Sequence, residues 1–161
     1  MAVIAQEQAI VLDPSLAAIA LAAGLAFIGI GGALYEFLVV DPAWPNRPEL
    51  IQPERGGVSR KRFWIPAHTA FELTLIAALV MAWAQPSVRV WLLVGLSSHA
   101  ATRIWSLFDF IPKALAFERA DPATIAADSA RRWTRRSLWR LPPSLITGGA
   151  MLAAFATALA R

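Results

Sequence analysis

Cysteine is absent from the chain, which excludes disulfides, thiolate metal ligands and cysteine catalysis. Charge is scarce too. Only 16% of the residues are Asp, Glu, Lys or Arg, against about 25% in a typical soluble domain, so the polar surface is too small to cover a water-soluble fold. Histidine occurs twice, at His68 and His99. Residues 1–14 hold Glu7 and Asp13 but no Lys or Arg, so the cationic start of a secretory leader is missing, and the first apolar span is expected to stay in the protein as a helix.

What is present in quantity is apolar. Of the 161 residues 57% are hydrophobic and the mean hydropathy is +0.52, a size that suits one domain over 1–161. Four long apolar spans lie at about 15–40, 63–84, 87–112 and 141–160. Each approaches the roughly 20 residues that a helix needs to cross a bilayer core of about 30 Å. In lipid each backbone amide must be bonded within its own segment, so the spans are expected to be helices. The fold class is therefore all-α, an integral membrane four-helix transmembrane bundle. Gly24, Gly29, Gly31 and Gly32 are expected to let helices approach closely, and the stripe Ala22, Ala26, Gly29, Ala33 leads down to Glu36. Proline punctuates the spans at Pro42, Pro86, Pro142 and Pro143.

The basic residues set the orientation. The first loop carries Arg47, Arg55, Arg60, Lys61 and Arg62, and the third carries Lys113, Arg119, Arg131, Arg132, Arg135, Arg136 and Arg140. The other side has only Arg89 and Arg161. The positive-inside rule then puts both long loops in the cytoplasm and both termini outside it, as for a multi-pass protein of the cell inner membrane. A pI near 10.6 with the charge confined to these loops points to a headgroup surface and not to nucleic acid. Residues 121–140 read as a cytoplasmic interfacial helix, with Trp133 and Trp139 at the headgroups and Arg131, Arg132, Arg135 and Arg136 on anionic lipid; a basic flank that only sets topology is the alternative. The Pro- and Gly-bearing loop 41–62 is long enough to be a lid or a plain connector.

Ionisable groups inside a span cost at least about 2.5 kcal/mol near its centre, so they mark the place to look for chemistry. Glu36, His68, Glu72, His99, Arg103 and Asp109 are such groups. With a rise of about 1.5 Å per residue, Glu36, His68 and Asp109 lie roughly 5–6 Å below the cytoplasmic edge, Glu72 and Arg103 roughly 12–14 Å, and His99 roughly 18–20 Å. His68 and Glu72 share one helix face, as do His99 and Arg103. The matching depths of Glu72 and Arg103 predict an ion pair between the second and third helices.

Several chemistries suit this set. His and carboxylate groups could hold iron, manganese or zinc, although Arg103 disfavours a cation and the His68-x-x-x-Glu72 spacing is not that of di-iron bundles. A single His could hold a haem, with Arg103 or loop cations on a propionate. Glu72 or His99 could act as acid or base on a small apolar substrate. The same groups could also serve proton-coupled transport, or simply lock helices together in a non-enzymatic subunit.

Two stretches carry a family resemblance. One is a Pro-containing loop followed by Trp64 and then Ala67-His68. The other is Leu107-Phe108-Asp109-Phe110 with Pro112 and Leu115-Ala116-Phe117. The chain resembles the small four-span membrane proteins of the anthrone-oxygenase-like type and, more loosely, styrene oxide isomerase, to which these two stretches are similar in order and spacing over about half the chain. The latter resemblance implies haem b held by His68 and isomerisation of a small epoxide in an apolar pocket. Ala70, Phe71 and Glu72 stand where the isomerase has small and amide residues, and Thr102-Arg103 where it has an Asn-containing stretch. The expectation is a small membrane enzyme, an isomerase or an oxidoreductase of the oxygenase type. His68 would be the cofactor or metal ligand, Glu72, His99 and Arg103 the working set, and Glu36 and Asp109 its outer members. Homo-oligomerisation is compatible with so short a chain.

Overall fold

The computed structural model describes residues 13–161; residues 1–12, on which the expectation of a missing leader chiefly rests, lie outside the described residues. The described chain is all-α. Helix α1 (Pro14–Tyr35) starts at Asp13, whose carboxylate accepts from Ser15 N at 2.9 Å, with Pro14 in the first turn where no amide is needed. It continues as a π-helical turn, Glu36–Val40. Next come α2 (Lys61–Met81) and, after a tight turn, α3 (Pro86–Trp105). A second π turn, Ser106–Phe110, leads into α4 (Ile111–Arg119). Last are α5 (Ala127–Ser137) and α6 (Leu141–Leu159), joined by the 3-10 turn Leu138–Arg140.

Three stretches are long and apolar enough to cross a membrane: Pro14–Val40, Lys61–Met81 and the C-terminal Ala127–Leu159, whose apolar part is α6. This marks a multi-pass membrane protein. The fourth expected span is a helix of 20 residues, α3, but Arg89, Ser97, Ser98, His99, Thr102 and Arg103 hold it below the apolarity of the other three. The helical path also does not stop at Pro112. That proline occupies the first turn of α4, where its missing amide costs nothing.

The main core is built from small residues on α1 and α6 and larger ones on α2 and α3: Ile19, Ala22 and Ala26, then Phe71 and Leu75, Val88 and Leu92, and Ala150, Met151 and Ala154. Helix α1 packs against α2 and α6, and α3 chiefly against α6, where Ser98 Oγ also donates to Pro143 O at 2.8 Å. Helices α2 and α3 follow one another in sequence yet touch little. Close approach is made at other glycines than most of those expected: a Cβ would strike the Phe63 ring at Gly32, Met151 at Gly95 and Ile30 at Gly148, whereas Gly24, Gly29 and Gly31 have nothing within 4 Å. Leu21, Ile28, Leu38, Leu73, Val80 and Phe108 are exposed on the outer faces, which suits lipid contact.

A second core lies beyond the cavity end of the bundle. The loop 41–62 folds as three short 3-10 turns, Trp44–Asn46, Pro48–Ile51 and Pro53–Arg55, each with proline in its first turn. It buries Trp44 and Ile51 against Phe110, Ala130 and Trp133, with Phe117 and Ile125 packed alongside. Gln52 ties the loop to the end of α4 by donating Nε2 to Phe117 O (2.9 Å) and Ala120 O (2.8 Å). Trp133 was expected at the headgroups. It is only 7% exposed and packs edge-on to Trp44 at 5.9 Å, because α5 turns its aromatic side to this core and leaves Arg132, Arg135 and Arg136 outside. Trp139 is the exposed one.

Candidate functional site

The sparse contact between α2 and α3 leaves a cavity of about 350 Å³ in the half of the bundle below the second core. Its walls are apolar: Leu25, Ile30 and Phe37 from α1 and its π turn, Ile65 and Phe71 from α2, and Phe110, Ile111 and Leu115 from the α3–α4 segment. The stripe read from sequence holds in part, since Ala26, Gly29, Ala33 and Glu36 form one wall. Gly29 is open not for helix contact but because it faces this space.

His68, His99, Thr102 and Arg103 line the inner part. Arg103 Nε donates to Glu72 Oε1 at 3.0 Å, and His99 Nε2 lies 3.0 Å from the same oxygen. The ion pair expected from matched depth is therefore present, with His99 as a second donor. With Nε2 facing a carboxylate, the neutral ring keeps its lone pair on Nδ1. Glu72 does not line the cavity; its side chain, 40% exposed, sits at the seam where α2 and α3 part. His68 stacks on Trp64 (ring centroids 5.2 Å apart, planes 21°) and lies 5.6 Å from the His99 ring. It makes no hydrogen bond among the described residues. One ligand atom each from His68, Glu72 and His99 fall within 4.8 Å of one another.

Glu36, Arg60, Lys61, Glu118 and Arg140 gather at the mouth. Arg60 reaches Glu118 at 3.4 Å and Glu36 at 3.9 Å, Lys61 reaches Glu118 at 2.9 Å, and the Arg60 guanidinium lies 5.6 Å over Trp133. The Arg140 guanidinium lies 4.7 Å over Phe110. Glu36 Oε1 is buried with no hydrogen-bond partner. Just outside the span, Asp41 accepts from Trp44 Nε1 at 3.1 Å; burial, then the nearby Glu36 charge, push its carboxyl up to about 6.

Asp109 is not brought to the site. The π turn aims it at Lys113 Nζ (2.6 Å) and Arg136 (2.5 Å), where it pins α5 to the end of α3. The sequence alone marks Arg60 and Arg140 as loop cations that set topology or could meet a propionate, and singles out neither Glu118 nor Gln52. The one available signal was Trp44, Leu50 and Ile51 inside a loop, apolar residues that an unstructured connector has no need of.

Fold and site together define a multi-pass helical membrane protein with an internal apolar cavity lined on one side by His68, His99 and Arg103, the last two bonded to Glu72 at the α2–α3 seam. No protein-family model, curated protein or solved structure matches this chain.

Proposed function

We propose that the chain is a membrane-embedded enzyme that acts on a small apolar molecule held in this cavity, with chemistry of the isomerase or oxygenase type. The observation that carries the reading is the cavity itself: apolar walls around a few convergent polar groups are the usual form of a small-molecule site. The working membrane topology is four spans, α3 included. The loops 41–62 and 113–140 face the cytoplasm at an inner membrane, both termini lie outside, and Arg132 and Arg135 are free to meet anionic lipid. The apolar outer faces accommodate lipid or a second copy.

His99 is the acid–base group in this reading. Glu72 fixes its tautomer and balances the imidazolium that forms when Nδ1 takes a proton from substrate, and Arg103 holds Glu72 in place. Haem b on His68, implied by the isomerase resemblance, does not suit the residues present. A Glu72 carboxylate oxygen and a His99 ring nitrogen lie within 4.8 Å of a His68 nitrogen, which crowds the surroundings that a macrocycle on His68 needs. A purely structural lock has one observation in its favour: Glu72, His99 and Arg103 satisfy one another.

Gly29→Leu separates the two readings, since Gly29 lines the cavity and a Cβ there meets nothing within 4 Å, so that the added side chain takes up cavity space. The detergent-purified protein would be screened with small apolar epoxides, ketones and aromatics for ligand-dependent thermal stabilisation and for conversion. Stabilisation in the wild type that vanishes in Gly29→Leu, with conversion lost in His99→Ala, supports the enzyme. No ligand effect in the wild type leaves the structural lock.

A further inference from the structure

The cluster at the α2–α3 seam has more capacity than acid–base chemistry uses. Glu72 Oε2 has no partner among the described residues, although Oε1 has two. His68 also has none. A partly exposed carboxylate at membrane depth is costly unless something covers it. We infer that His68, Glu72 and His99 form a mononuclear site for a divalent transition-metal ion, opening onto the apolar cavity.

The geometry is close to what an ion needs. Donors about 2.1 Å from a metal and at right angles to one another stand roughly 3.0 Å apart, which is the separation of His99 Nε2 and Glu72 Oε1. The three donor atoms all lie within 4.8 Å of one another, which puts the third within reach of a side-chain adjustment. On binding, the His99 proton moves by way of solvent from Nε2 to Nδ1, so that the neutral ring turns its Nε2 lone pair to the ion and serves as a ligand in place of the base. Arg103 remains on Glu72 as the outer hydrogen bond that orients a ligating carboxylate. The donor set, two imidazoles and one carboxylate with further positions open, is that of non-haem iron sites and also accepts cobalt and zinc. Arg103 already balances Glu72, and this disfavours Ca²⁺ and Mg²⁺, which need several anionic oxygens.

The inference shares the cavity with the proposed enzyme but does not depend on turnover. The test titrates chelator-treated, full-length protein in detergent with Co²⁺, read by visible absorption. One Co²⁺ per chain is expected, displaced by equimolar Zn²⁺ and indifferent to millimolar Ca²⁺ and Mg²⁺. His68→Ala, His99→Ala and Glu72→Gln should each weaken uptake at least about 100-fold, and Arg103→Ala about 10- to 100-fold. The exposed Asp128→Asn serves as control and should leave uptake unchanged. Wild-type protein that takes up no Co²⁺ overturns the site, whatever the variants do, and so does uptake that survives all three ligand substitutions. Substrate conversion without Co²⁺ uptake would keep the enzyme and retire the ion. An ion with no ligand effect in the cavity would do the reverse.

Discussion

Arg103 closes on Glu72 through Nε, at 3.0 Å, and not through its terminal nitrogens, which make no hydrogen bond among the described residues. The pair bridges two helices that otherwise barely meet.

Arg103→Glu should lower the yield of folded protein, because two carboxylates then face each other at membrane depth. Exchanging the two residues, Glu72→Arg with Arg103→Glu, should recover part of it. Polar contacts between membrane helices average about 0.6 kcal/mol and reach about 1.7, so a coupling of about 0.6–1.7 kcal/mol is expected from a double-mutant cycle in detergent. A swapped pair no better than Arg103→Glu alone would mean that the bond is incidental.

Trp133→Ala should cost about 3–5 kcal/mol locally, the usual range for a buried tryptophan. It removes the ring that Trp44, Phe110 and Phe117 all pack against. The expected readout is rapid trypsin cleavage after Arg55 or Arg60 in the variant and slow cleavage in the wild type. Equal rates would show that the loop does not depend on this core.

Asp41 predicts a pH dependence. Its folded-state carboxyl titrates near 6 against an ordinary 3.8, so the fold favours the protonated form. Stability from this group is full below about pH 4, falls as pH rises through about 6, and stays low above. Asp41→Asn keeps an acceptor for Trp44 and removes the charge. It should raise thermal stability at pH 7–8 by on the order of 1–3 kcal/mol and flatten the decline between pH 4 and 6. A variant less stable than wild type at pH 8 would refute this.

The helices were legible because hydropathy and proline placement act locally: span boundaries agree within a few residues except at Pro112, where a first-turn position looks in sequence like a stop. The Glu72–Arg103 pair was legible because depth in a bilayer is a coordinate that sequence carries. Rotation about the helix axis is not so directly written. The π turn at Ser106–Phe110 swings Asp109 away from the cavity, and no periodicity fixed at 3.6 residues anticipates that. The second core was hidden for another reason. Its members come from three separate stretches, each too short to show a pattern of its own.

That scattered origin bears on how the chain is made. Trp44 and Ile51 are synthesised first, Phe110 later, and Ala130 and Trp133 last of the five, so the pieces cannot close on one another until α5 has been made. Until then the nascent protein carries uncovered tryptophan and isoleucine beside the membrane, the kind of surface that chaperones and proteases read. The cap thus reports that α5 has been made: a chain truncated before α5 keeps the first three long helices yet leaves this surface bare.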